Sequence, residues 1–126
     1  MPKKIISILK GTEGASSVEF ALLLPVLVML LTGIIQLGMA YSNYISITHA
    51  AREGARLAAV DRYSDGVVRE RAYPVVPDSV SLSFPHGNAH GEEAVVTVTY
   101  TKRIDIPFWG IVSVPISSQA GMRIEY

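Results

Sequence analysis

The sequence predicts an α+β protein: a long N-terminal transmembrane α-helix that extends out of the membrane and packs against a small antiparallel sheet of three to four strands. Three observations carry this expectation. Residues 20–41 read FALLLPVLVMLLTGIIQLGMAY without a charge. Residues 42–60 contain no proline and are rich in alanine. From residue 79 onward the apolar period falls from that of a helix to that of a strand.

Taken in order, residues 1–14 (MPKKIISILKGTEG) read as a short basic leader. Lys3, Lys4 and Lys10 precede the apolar stretch, and the far flank is uncharged until Arg52. Lysine and arginine favour the cytoplasmic side, so a single pass with the N-terminus inside and the C-terminal part outside is expected. The helix should begin near Ala15, where Ser16 and Ser17 can cap backbone donors and Glu19 complements the helix dipole. Phe20 to Tyr41 would rise roughly 33 Å at 1.5 Å per residue, enough for a hydrocarbon core of about 30 Å. Pro25 removes one backbone donor, so a mild kink is expected there. Gly33, Gly38 and Ala40 are small residues of the kind that let membrane helices approach closely.

The helix is expected to continue to residue 62, giving one helical element over 15–62. Ala50, Ala51, Ala55, Ala58 and Ala59 are strong helix formers, whereas Gly54 costs about 1 kcal/mol relative to alanine. Ala51, Gly54, Ala55 and Ala58 recur at three- and four-residue steps. They form a small face on which another backbone or a sheet can sit. Ser64-Asp65-Gly66 reads as the helix stop.

Residues 63–126 then make a small exported β domain. Val80, Leu82 and Phe84 alternate with Ser79, Ser81 and Ser83, and Val96, Val98 and Tyr100 with Val95, Thr97 and Thr99. Ile116, Ser118, Ala120, Met122, Ile124 and Tyr126 form a third alternating run. The prolines near these runs, Pro115 among them, suit strand boundaries. The polar loop His86 to Glu93 makes the first two runs a hairpin. A domain of this size is marginal alone, so the helix has to supply part of its core.

Composition narrows the function. The chain has 126 residues, zero formal net charge and no cysteine, which excludes disulfides and thiolate metal sites. Arg52 onward holds eight basic and nine acidic residues, without the clustered basic face that nucleic acid requires. Ser, His and Asp occur in no catalytic spacing. No catalytic residue, metal ligand or cofactor is therefore assigned, and the chain is expected not to be an enzyme.

Gly14 and Glu19 carry the strongest functional signal. An acid within an apolar helix costs on the order of 2–3 kcal/mol near the bilayer centre and less toward its edge. A glycine five residues ahead of it offers a membrane-embedded peptidase a backbone with no Cβ and weak helix propensity. Cleavage after Gly14 would give Ala15 a free α-amine, and Glu19 of one helix could pair with that amine on a neighbour, offsetting its desolvation.

These residues, GASSVEF at 14–20 followed by a hydrophobic helix, resemble the cleavage motif of the prepilin class. With AAREGARLAA at 50–59 and SSQAGMRIEY at 117–126, the chain is similar to the TadE-like pseudopilins of the tight-adherence (Flp) pilus system. Pseudopilins of type II secretion usually have phenylalanine after the cleaved glycine and leucine-isoleucine before the glutamate, a pattern from which Ala15 and Ser17-Val18 depart. The resemblance implies a minor pseudopilin of the bacterial inner membrane, cut by a prepilin peptidase between Gly14 and Ala15. Glu19 and Phe20 would then serve assembly with other pilins, pseudopilins and the pilus machinery. Ala51, Gly54, Ala55 and Ala58 would serve helix packing.

Other readings compete. The chain could be a membrane-anchored exported binding or enzymatic domain with an uncleaved signal anchor. Leu37-Gly38-Met39-Ala40 offers a signal-peptidase site, against which the length of the apolar stretch and Glu19 argue. His86, His90, Glu92 and Glu93 have metal-ligand chemistry, but the glycines among them favour an exposed loop. Asp61 to Gly66 lacks the ligands of a calcium loop at its third and twelfth positions. Ile106 to Val112 (IPFWGIV) reads as an apolar loop packed over the sheet edge, with contact to a partner or the bilayer as the alternative.

Overall fold

A computed structural model describes residues 12–126, so the leader residues 1–11 lie outside it. Its elements are helix α1 (Thr12–Ala59), short helix α2 (Asp65–Arg71), and strands β1 (Ser79–Ser83), β2 (Glu93–Ile106) and β3 (Gly110–Arg123). The chain divides into two compact units, one ending at Ile35 and one covering Gln36–Tyr126. The architecture is α+β, with a long apolar N-terminal helix and one three-stranded antiparallel sheet of order β1-β2-β3.

Helix α1 is already formed at Thr12, the first described residue, so Gly14, Ser16 and Ser17 lie in helical turns. Extending an existing helix by a residue adds a hydrogen bond without a new nucleation cost, which outweighs the weak propensity of one glycine. The helix is also continuous through Pro25. Its end differs from expectation too. Asp61 holds a left-handed φ of 54°, its N–H donates to the Ala58 carbonyl, and the Arg62 N–H donates to that of Leu57 at 2.8 Å. This is a Schellman motif, closed by aspartate, one of the few non-glycine residues that tolerate that conformation. Asp65-Gly66, expected to stop α1, instead opens α2, where Asp65 in the first turn and Arg69 and Arg71 in the last complement the dipole.

The sheet is longer than the alternating runs suggested. β2 pairs with β3 from Glu93↔Arg123 to Ile106↔Gly110, and β1 pairs with β2 from Ser79↔Thr99 to Ser83↔Val95. Pro115 lies inside β3, opposite Thr101, and not at a boundary. β3 is an edge strand, where a missing N–H on the outer side leaves no ladder bond unmade. The stretch Ile106 to Val112 is accordingly a hairpin tip, and not a loop folded over the sheet edge.

The core of the second unit lies between the C-terminal half of α1 and the inner face of the sheet. Ile47, Ala50, Ala51 and Ala55 of α1 cluster with Val68, Ala72 and Val75, and with Val96 and Val98 of β2. Ala58 clusters with Ala94 and Ile124. Ile47, Val68, Val96, Val98 and Ile124 are the largest fully buried side chains, each contributing about 1.5–3 kcal/mol of apolar burial. The C-terminal segment closes this end. The Glu125 N–H donates to the Ala59 carbonyl at 2.9 Å, satisfying an acceptor that the end of α1 leaves open.

Candidate functional site

The sequence singles out two groups of residues on α1, one in each unit. In the first unit, Gly14, Ala15, Glu19 and Phe20 are all exposed on helical backbone. A Cβ built at Gly14 would meet nothing within 4 Å, so space around this residue does not require glycine. The backbone there is helical rather than extended, and a peptidase that needs an extended strand would have to unwind the helix at that point. Residues 14–59 form the one segment, among the described residues, long and apolar enough to cross a membrane, and its most apolar window has no buried residue. An apolar surface left bare by the rest of the fold fits a single-pass membrane protein.

In the second unit, Ala51, Gly54, Ala55 and Ala58 are buried and face the sheet and α2. The close approach is sharpest at Gly54: a Cβ there would lie 2.8 Å from Val68 Cγ2 and 3.0 Å from Val96 Cγ1. Both neighbours are β-branched and stiff at χ1. Glycine at this position lets α2 and β2 reach the helix together.

Polar contacts fix the register of this packing. Ser118 of β3, only 7% exposed, and Thr48 of α1 have their hydroxyl oxygens 3.0 Å apart. The Thr48 hydroxyl donates to the Tyr44 carbonyl at 2.7 Å, which uses its single proton, so Ser118 is the donor to Thr48. Arg69 Nη1 donates to the Pro77 carbonyl at 2.8 Å, holding α2 to the segment that enters β1. Gln36 Nε2 donates to the Asp105 carbonyl at 2.5 Å, near the tip of the β2–β3 hairpin. Sequence reasoning assigned none of these four side chains a polar contact; for Thr48, Ser118 and Gln36 the partner lies about 70 residues away in the chain.

The electrostatics are quiet. Arg56 and Glu53 form a surface ion pair at 2.7 Å; its hydrogen bond lowers the Glu53 pKa and raises that of Arg56, and a solvated pair of this kind adds little stability. Tyr63 is the exception. Burial, reinforced by the neighbouring Asp65 carboxylate, pushes its phenol well above the ordinary range, although its hydroxyl has no partner in hydrogen-bonding geometry. His86 and His90 are exposed in the β1–β2 loop. Among the described residues, no group of three or more His, Asp or Glu is placed to hold a metal ion.

A bare apolar helix whose second half is built into a small antiparallel sheet defines a class: an α+β domain carried on its own membrane-capable helix. Residues 14–56 match the family model described as TadE-like protein, the family that the sequence motifs resemble. The match covers Gly14 to Phe20 and reaches the small face at Ala51, Gly54 and Ala55. Comparisons with curated proteins and with solved structures gave no match.

Proposed function

We propose that this chain is a minor pseudopilin, a non-enzymatic structural or assembly component of the Flp pilus, processed by a prepilin peptidase after Gly14. The observation that carries the reading is the TadE-like match, which begins at Gly14 and includes Glu19. The chain would sit in the bacterial inner membrane with its N-terminus cytoplasmic and its sheet outside. After the cut, the Ala15 amine of one subunit would meet Glu19 of the next, and Phe20 would pack beside that pair. An ion pair between stacked helices offsets the desolvation of both groups in a way that a lone carboxylate cannot. Partners would be the peptidase, other pilins and pseudopilins, and the pilus machinery.

Glu19→Ala tests this arrangement. The variant is expected to insert normally, since it loses a charge from an apolar helix. Its crosslinks to other pseudopilins should fall severalfold, and pilus formation with them. Unchanged crosslinking and pilus formation would sink the pairing role. The helical backbone at Gly14 favours a second reading, a membrane-anchored exported domain with an uncleaved anchor, in which Glu19→Ala has no assembly phenotype.

A further inference from the structure

The β2–β3 hairpin runs back along α1 toward the apolar stretch. At one end Ala94 packs with Ala58; at the other the Asp105 carbonyl accepts from Gln36. From Gln36 to Ala58 the helix rises about 33 Å, and from Ala94 to Asp105 a strand advances about 36 Å. The hairpin therefore follows the helix for its whole length, and its tip turns beyond Asp105. Gln36 belongs to the uncharged stretch, five residues or about 7.5 Å inside Tyr41. The tip thus lies level with residues that membrane physics assigns to the bilayer.

The tip has the composition and conformation of a surface contact. The Trp109 N–H donates to the Ile106 carbonyl at 3.0 Å, closing a turn with Pro107 at its second position and Phe108 at its third. Phe108 has a φ of 71°, which a turn of this kind normally gives to glycine. A bulky aromatic held in that conformation is an outlier that calls for a reason. Phe108 is 89% and Trp109 83% exposed, and Ile111 and Val112 beside them are exposed as well. Nothing in the domain covers them.

We infer that the hairpin tip, Phe108 and Trp109 with Ile111 and Val112, inserts into the domain-facing interface of the same bilayer that α1 crosses. The inference rests on α1 spanning the membrane. Aromatic side chains concentrate at the membrane–water interface, where an apolar ring and a polar edge are both accommodated. The occupant is lipid because the Gln36 bond holds the tip at the level of Gln36 to Tyr41, the part of the uncharged stretch that belongs to the same unit. Such a foot would fix the tilt and depth of the domain on the membrane.

Trp109 is the only tryptophan, so its emission reports the tip directly. The full chain would be reconstituted into vesicles of phosphatidylethanolamine and phosphatidylglycerol, with or without acyl chains brominated near the headgroup. The expected result is blue-shifted emission, mostly lost to the brominated chains and little affected by iodide in the water. Phe108→Gly, which suits the positive φ and leaves the turn intact, should keep the circular dichroism spectrum and make Trp109 more accessible to iodide. Full iodide quenching without bromine quenching would overturn the inference. So would emission shielded from both quenchers, which would mean a protein contact. Flotation separates the two levels: a chain that floats with vesicles but shows no bromine quenching refutes the tip alone, whereas one that does not float refutes the membrane-spanning reading and the tip with it.

Discussion

Gly54→Ala sets two effects of similar size against each other, and the structure decides between them. In an open helix the substitution would stabilise by about 1 kcal/mol. Here the new Cβ would stand 2.8 Å from Val68 Cγ2, about 0.6 Å inside the 3.4 Å at which ordinary contact begins. Val96 Cγ1 at 3.0 Å blocks the second direction of relief. Overpacking of this kind costs typically 1–3 kcal/mol, so the net expectation is a loss of about 1 kcal/mol. For a domain of 60–100 residues that is a fall in Tm of about 4–8 °C. The assay is thermal unfolding of the full chain in detergent, followed by the β signal in circular dichroism. Val68→Ala removes the closest obstructing atom, so in that background Gly54→Ala should turn neutral or stabilising, giving a coupling of about 1–2 kcal/mol. Rescue would be partial, since the Val96 contact remains. If Gly54→Ala raised stability by about 1 kcal/mol in both backgrounds, the close-approach argument would be refuted.

Other perturbations test separate parts of the account. Ser118→Ala deletes the donor to Thr48 and should cost about 0.5–1.5 kcal/mol, read in the same unfolding assay. Tyr63→Phe removes a buried hydroxyl that lacks a hydrogen-bond partner, so stability should hold or rise at neutral pH. Because burial raises the Tyr63 pKa, its contribution is intact below about pH 10 and declines as pH rises above that; Tyr63→Phe should therefore flatten the alkaline loss of stability relative to the parent chain. Gly14→Ala should slow processing and Gly14→Leu largely stop it, visible as accumulation of the longer form on a gel. Normal maturation of the leucine variant would exclude the proposed site.

Much of the fold was legible in the sequence because it follows from periodicity. The uncharged stretch, the alanine-rich continuation and the alternating runs each extend over enough residues for the period to declare itself. The small face could be read for the same reason, since alanine and glycine at helical spacing leave room for a sheet. What stayed hidden turns on single residues or distant partners. The stop of α1 depends on Asp61 accepting a left-handed conformation, a choice no periodic pattern announces. Helix α2 has seven residues, two turns, too few to separate helical from irregular spacing. The full length of the hairpin was obscured by Pro107 and Pro115, which mark boundaries in a central strand but not at a turn or an edge. The exposed tip was legible only as the alternative reading, because the apolar composition of IPFWGIV suits a packed loop equally well. Only the Gln36–Asp105 bond reveals how far down the helix it reaches. At the N-terminal site, the motif is legible and its geometry was not: glycine and glutamate at this spacing suggest the cut, while the backbone between them is continuous helix.

The central claim is that Gly14 and Glu19 form one device, a cut that creates an amine and an acid that receives it. Intact-mass and N-terminal peptide analysis of the chain purified from cells that assemble the pilus tests it most directly. The account predicts a mature chain beginning at Ala15. A chain beginning at Met1 or Pro2 would contradict it in favour of an uncleaved anchor, and one beginning at Tyr41 would contradict both by showing secretion after Ala40.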